Sequence, residues 1–454
     1  MIRLLFISFS SLFFIPTGNP EPERFKPINQ EFPLLWKAKI GNASFRTNLV
    51  VTEKDLFIGS NGKYFMDYRP NDPTSGMYKI DRTNGQVIRQ FGNDEIIGDM
   101  DVNGVLLYQN KIYFGNDNDD FICTNTDGKL LWSIPTAGDI EHQPVLIQID
   151  QRPAVVYATE NGEVRAVNPD NGKTIWAYYT PDFNGWRYGD SRTFFKVRSF
   201  FHNTSAFFTK PLVTDLNSDG VNDLTYLTYS NQIYAINGKS GKILWHIEPN
   251  ENIYNIEILP KPDGDRVFVA GSINYRSASV THNIQLISRS GNMKSILELP
   301  YESYSQSLNF FFNGPDELLI NDCKYLYRLK KLKHLDSINR SNKYEKVYDW
   351  TSEVFHNRNS YAPLFGNKVF PYKKYKECVF TLYQYDPVDN EKGFMEIISL
   401  DQKKVVARLE LPGISELPPQ IGDVNKDGKL DLLINSGSKG ELYCYDLKTP
   451  VSSN

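Results

Sequence analysis

The stretch GEVRAVNPDNGKTIWAYYT, residues 162–180, alternates apolar and polar side chains up to Asn168, turns, and alternates again. The turn closes on Gly172 and Lys173, and Trp176 stands four residues past the glycine. An Asn-Gly turn between two alternating runs is a strong hairpin signal, because glycine takes the positive φ that a tight turn requires. The same grammar returns in NQIYAINGKSGKILWHIEP (231–249), with Gly241 and Trp245, and in DDFICTNTDGKLLWSIPT (119–136), with Gly128 and Trp132. A weaker copy, GMYKIDRTNGQVIRQFG (76–92), carries Arg89 in the tryptophan place. Trp132 and Trp176 lie 44 residues apart, close to the length of one four-stranded propeller blade.

A second hairpin precedes each of these. PVLIQIDQRPAVVYATENG (144–162), PLVTDLNSDGVNDLTYLTYSN (211–231) and PQIGDVNKDGKLDLLINSGSKG (419–440) align on their first proline and central aspartate. One unit is therefore strand, polar loop, strand, short turn, strand, glycine turn, tryptophan strand. Fainter units begin near Asn48, Asp101, Asn255, Ser307 and Pro363, which gives eight, with seven as the rival count because 306–412 matches least well. The last unit ends in GELYCYDLKTP without a tryptophan strand, while PLLWKAKIG (33–41) supplies an orphan one around Trp36. Adding that N-terminal strand to the last blade closes the ring and removes an exposed sheet edge. The alternative is that Trp36 opens an independent strand.

The expected fold is thus an all-β, eight-bladed (alternatively seven-bladed) propeller spanning 33–448. A signal peptide (1–18) and linker (19–32) precede it and a short tail (449–454) follows. The start, MIRLLFISFSSLFFI, has Arg3 and then a roughly 12-residue apolar run, too short to span a bilayer and suited to an export signal. An uncleaved anchor is the alternative, and no later run is long enough to cross a membrane. A net charge of −4 among 454 residues argues against a nucleic-acid partner. Cys123, Cys323, Cys378 and Cys444 show no CxxC or vicinal spacing, so neither a disulfide scaffold nor a zinc site is expected. Cys123 and Cys444 fall where the repeat has Ala166 and Ala235, which predicts small buried thiols.

The Gly-Lys-x-x-Trp hairpins resemble the repeats of quinoprotein-type propellers, the pyrroloquinoline-quinone-like repeat. The Asp-x-Asn-x-Asp-Gly-x-x-Asp loops resemble those of calcium-binding propeller repeats of the integrin-alpha type and related secreted bacterial proteins. In DLNSDGVNDL, Asp215, Asn217, Asp219 and Asp223 match Asp423, Asn425, Asp427 and Asp431 of DVNKDGKLDLL one for one. Alternate oxygen ligands around a glycine can wrap a hard cation, with the carbonyl of Val221 or Lys429 at the seventh position. The twelfth positions, Tyr226 and Ile434, sit in strands, so the ninth-position aspartate closes the loop in place of an EF-hand glutamate. Two structural calcium ions are expected, the other reading being polar turns without metal. QIDQRPAV keeps Asp150 but has Gln151, Arg152 and Pro153 where ligands should stand, so it should be empty.

The quinoprotein resemblance implies dehydrogenase chemistry only with a vicinal cysteine pair and a cofactor pocket. This chain has no adjacent cysteines, so the quinone is not expected. The six histidines form no HExxH or His-x-His pattern, and no GxSxG or P-loop is present. The expected function is a non-catalytic binding or assembly scaffold for a protein or glycan partner. The expected protein is a monomer, exported to the periplasm or beyond. A quinoprotein-like oxidoreductase or polysaccharide lyase on the same fold is the alternative. A similar propeller serves in outer-membrane barrel assembly as a lipoprotein, whereas no lipid-accepting cysteine follows the apolar run here. The one non-repeat feature, PDFNGWRYGDSRTFFKVRSFFHNTSAFF (181–208), concentrates Trp186, Arg187, Tyr188 and Arg192, side chains favoured at binding surfaces. It reads equally as an aromatic cover folded onto one face.

Overall fold

The computed structural model describes residues 32–44, 46–63, 72–91, 101–183, 207, 209–263, 266–274, 281–300, 309–315, 317–321, 325–330, 344–349, 360–365, 369–385, 392–413, 415, 417–436 and 439–451. The expected signal peptide and the core of the 181–208 insertion lie outside them. The described strands form eight antiparallel sheets, each a four-strand meander. Blade 4 is representative, with strands Leu212–Thr214, Asp223–Leu227, Ile233–Ile236 and Ile243–Ile247 in that order. In chain order the blades occupy 49–91, 105–135, 145–179, 212–247, 252–300, 309–349, 360–411 and 420–450. Blade 7 carries one extra short strand, Phe370–Tyr372. The stretch 306–412 therefore resolves into two blades, and the count is eight. The first strands of consecutive blades approach one another in pairs 1–2, 5–6 and 6–7, which puts them at the ring centre and the fourth strands at the rim.

Blade 8 supplies only three strands from the C-terminal side, and Leu34–Lys39 is the fourth. It pairs antiparallel with Glu441–Pro450, with Leu34 opposite Tyr445, Trp36 opposite Cys444 and Lys37 opposite Tyr443. The N-terminal strand thus closes the ring as its sequence implies. The strand it joins runs to Pro450, two residues past the expected end, because Thr449 and Pro450 still pair with Leu430 and Lys429.

The core lies between blades. All five side chains of Asp223–Leu227 and all four of Ile233–Ile236 are buried, as expected of strands covered on both faces. Eight apolar clusters each join one blade to the next around the whole circuit. Phe57 and Met77 of blade 1 pack with Ile112 and Phe114 of blade 2, for example, and Leu433 and Cys444 of blade 8 pack with Ile58 and Tyr78 of blade 1.

A repeated lock fixes these seams. The indole of Trp176 in blade 3 lies on Gly241 of blade 4, so close that a Cβ on the glycine would sit 2.5 Å from the ring. Gly241 also has φ +70°, so the position excludes side chains on two counts. Trp36 lies on Gly85, Trp132 on Gly172 and Trp245 on Gly291 in the same way. Each indole N–H then donates to a carbonyl of that neighbouring turn: Trp36 to Arg82 at 3.2 Å, Trp132 to Pro169 at 3.2 Å, Trp176 to Gly238 at 2.8 Å and Trp245 to Arg289 at 2.7 Å. Opposite each tryptophan in its own blade stands Cys444, Cys123, Ala166 or Ala235, all fully buried. This is why two cysteines replace two alanines, and burial pushes the Cys123 thiol up to about 12. In blade 1, Arg89 holds the tryptophan register opposite Lys79, but Phe91 supplies the ring that packs on Gly128.

Trp36→Phe keeps an aromatic ring and loses one buried hydrogen bond, a cost of about 1 kcal/mol. Trp36→Ala empties the closing seam and costs about 3–5 kcal/mol. Denaturant midpoints of the two variants should separate accordingly. A small, equal loss in both would remove the lock from the account of closure.

Candidate functional sites

The meander places two kinds of connection on each face of the ring. Loops between first and second strands share one face with the glycine turns, and inter-blade connections share the other with the turns between second and third strands. The two aspartate loops are therefore on the glycine-turn face of blades 4 and 8, half a ring apart. The described ends of the 181–208 insertion, residues 181–183 and 207, are on the opposite face.

The two loops have the same internal geometry. In blade 4, Gly220 N–H donates to Asp215 Oδ2 at 3.0 Å, Asp219 N–H to Asn217 Oδ1 at 3.0 Å, Val221 N–H to Asp219 Oδ1 at 2.9 Å and Leu216 N–H to Asp223 Oδ2 at 2.8 Å. In blade 8, the matching bonds run from Gly428 to Asp423 at 3.1 Å, Asp427 to Asn425 at 2.9 Å, Lys429 to Asp427 at 2.9 Å and Val424 to Asp431 at 2.8 Å. Positive φ recurs at Ser218 and Gly220 and at Lys426 and Gly428. A turn that folds the chain around the carboxylates is thus built twice.

The closing aspartates are fully buried. Burial pushes the Asp223 carboxyl up, and raises Asp431 to about 6. The surroundings differ, and in blade 8 Lys429 Nζ donates to Asp427 Oδ2 at 3.1 Å where blade 4 has Val221. Asp223 Oδ1 accepts from Gly238 N at 2.9 Å and from Asn237 Nδ2 at 3.2 Å, whereas Asp423 Oδ1 and Asp431 Oδ1 are buried with no hydrogen-bond donor among the described residues. Buried carboxylate oxygens without donors are costly unless a cation sits against them. The donor set is all oxygen, so the residues fit a hard divalent ion.

The corresponding turns of blades 2 and 3 do not form such loops. Ile149 pairs directly with Arg152, leaving Asp150 and Gln151 as a two-residue turn with φ 48° and 65°. That is a tight hairpin of the mirror-image type, and Asp150 takes Lys239 Nζ at 2.6 Å. Blade 2 turns in the same way through Gln109 and Asn110.

Trp186, Arg187, Tyr188 and Arg192 lie outside the described residues. Their anchors are described. Tyr179 meets Phe183 at 4.5 Å between ring centroids on the way out, and Phe207, fully buried, packs on Tyr226 at 4.8 Å on the way back.

That same face holds a cluster that the sequence reading missed. Carboxylate oxygens of Asp117, Asp139 and Glu141 all lie within 4.8 Å of one another. Glu141 also pairs with Arg46 and accepts from Asn103 Nδ2 at 2.6 Å. These residues come from the turn within blade 2, its exit segment and the entries to blades 1 and 2, and no linear spacing announces their meeting. His142, next in the chain, is buried, and desolvation brings its pKa down to about 4. His246 stacks on Tyr234 at 4.2 Å, in keeping with a strand residue.

A family model described as outer membrane protein assembly factor BamB matches residues 75–184 and 160–283, just under half of the chain. The matched region covers the last two strands of blade 1, blades 2 to 4 and part of blade 5. No curated protein matches by sequence. Among solved structures, BamB from Moraxella catarrhalis is similar, with 13% identity and a TM-score of 0.50, over 92% of this chain and 100% of that one. The Dos1 propeller gives 11% identity and a TM-score of 0.55, over 92% and 96%. The computationally designed Ika8 protein gives 10% and 0.51, over 91% and 99%. At these identities the likeness establishes the propeller fold. The chain is an eight-bladed β-propeller with BamB-like repeats over residues 75–283. Among the described residues, no helix is long and apolar enough to cross a membrane.

Glu257, on the innermost strand of blade 5, has its carboxyl pushed up to about 7 by burial, with Lys210 pulling the other way. A raised carboxyl contributes stability that is complete below its unfolded pKa of about 4.3 and is lost as pH rises through 7. Glu257→Gln should therefore raise Tm at pH 8 and leave it nearly unchanged at pH 4. An equal shift at both pH values would refute the buried-carboxyl account.

Proposed function

We propose that this protein is an exported, calcium-stabilised propeller that acts as a non-catalytic binding or assembly scaffold for a protein or glycan partner. It would work in the periplasm or outside the cell. The observation that carries the reading is the family match over 75–283, in a ring whose tryptophans are all committed, where described, to locking blades together. A quinone enzyme would need a cofactor site, and the vicinal cysteines that usually accompany it are absent from the sequence. Asp215, Asn217, Asp219, Asp223 and the Val221 carbonyl would hold one calcium ion. Asp423, Asn425, Asp427, Asp431 and the Lys429 carbonyl would hold the other. The ions would fix two hairpin loops and take no part in chemistry, since a catalytic ion needs an open position beside an acid or base. The partner would meet the opposite face, where Phe183 and Phe207 pack at the two described ends of the insertion.

Purified mature protein should bind two calcium ions, and chelation should lower its Tm, since a ligand of the folded state alone stabilises it. Asp215→Ala and Asp423→Ala should each remove one ion. An unchanged count in both variants would leave polar turns.

Replacing both Trp186 and Arg187 with alanine should weaken capture of the partner from an envelope fraction while Tm and calcium content hold. Unfolding of that variant would make the insertion a structural cover. A quinone absorbance band, or saturable binding with turnover in a polysaccharide screen, would favour the enzyme alternative.

A further inference from the structure

Each aspartate loop is tied to the next blade by an arginine. Arg82, buried in the glycine turn of blade 1, donates from Nη2 to the Asp423 carbonyl at 2.6 Å and from Nε to the Val424 carbonyl at 2.5 Å. Its Nη1 holds the Thr52 carbonyl at 2.6 Å, and the carbonyl of Arg82 itself receives the indole of Trp36. Arg289, in the glycine turn of blade 5, repeats the arrangement. Its Nη1 donates to the Asp215 carbonyl at 2.6 Å, and its own carbonyl receives the indole of Trp245. The other two tryptophan locks end on Pro169 and Gly238, which carry no cation, and the blades before them turn through two-residue hairpins. Arginine thus occupies the lock position at the two described seams where a full aspartate loop precedes it.

We propose that Arg82 and Arg289 are positioning residues for the ions, and that ion binding and closure of the 8–1 and 4–5 seams are coupled through them. The proposal rests on the calcium reading of the loops. A guanidinium that captures the carbonyl of the first aspartate fixes that peptide plane, and with it the direction in which the carboxylate leaves the chain. Outer partners that orient metal ligands in this way commonly set affinity within one or two orders of magnitude. Neutral carbonyls accept the arginine, so the cation is not spent on the carboxylates that the ion needs. At the 8–1 seam the loop has a further tie to blade 1, an ion pair between Lys426 and Glu53. The two seams are four blades apart, so the latches divide the ring into equal halves, and one of them is the seam closed by the N-terminal strand.

The test is calorimetric titration with calcium chloride in single-site backgrounds. In Asp215→Ala, which keeps the blade 8 site, Arg82→Gln should weaken calcium binding about 10-fold or more, and Arg289→Gln should leave it unchanged. In Asp423→Ala the pattern should reverse. Trp132→Phe, which loosens a seam with no loop, should lower Tm in both backgrounds without moving calcium affinity. If the arginine variants bind calcium as tightly as their parents, the coupling is refuted and the calcium sites stand. If the single-site parents bind no calcium, the calcium reading fails before any arginine is changed, and the coupling falls with it. Should Arg82→Gln not fold, Arg289→Gln in Asp423→Ala decides the question alone.

Discussion

An indole ring resting on a glycine of the neighbouring blade is the contact on which this structure depends. A propeller blade is a small twisted sheet with apolar faces on both sides, and it cannot stand alone. Its stability comes from the neighbours, so each seam needs a feature that sets both distance and angle. The tryptophan does this twice over, by filling the space that a Cβ would take and by donating its N–H to the same turn. Because the chain must also supply a lock for the last blade, the N-terminal strand pairs with blade 8 at Cys444 and Tyr443, beside the 8–1 seam.

The same constraint shapes what else the ring can carry. The glycine turns are held rigidly at one face, and the aspartate loops lie beside them. A loop on blade 4 or blade 8 is therefore braced from its own blade and from the next. Charged groups at seams follow the same logic. Arg328 of blade 6 pairs with Glu317 in its own blade and reaches Glu377 of blade 7 at 2.8 Å. Buried ion pairs of this kind add little net stability over apolar packing but penalise misaligned seams. The inter-blade connections, free of the locking duty, are where an insertion can be tolerated and where a partner can be met.

The glycine–tryptophan spacing made the fold legible, because both residues are conspicuous and their separation repeats. The aspartate loops were legible for the same reason, being local in sequence. Three things were not. Arg89 looked like the missing lock of blade 1, but the ring comes from Phe91, two residues on along the same strand face. Among the described residues, the seams of blades 5 to 7 use apolar clusters with no single marker residue, which is why the count hung between seven and eight. Asp117, Asp139 and Glu141 meet only because two connections cross one face, and Arg82 reaches Asp423 across 341 positions of chain. Contacts of that separation leave no periodic trace.

Native-state hydrogen exchange on the strand Leu34–Lys39 tests the central claim most directly. If between-blade locks hold a closed ring, those of its amides that pair with Glu441–Pro450 should exchange only with global unfolding, at the same free energy as those of Asp223–Leu227 in the middle of blade 4. Exchange of Leu34–Lys39 at a much lower free energy, with blade 4 still protected, would contradict closure by the N-terminal strand.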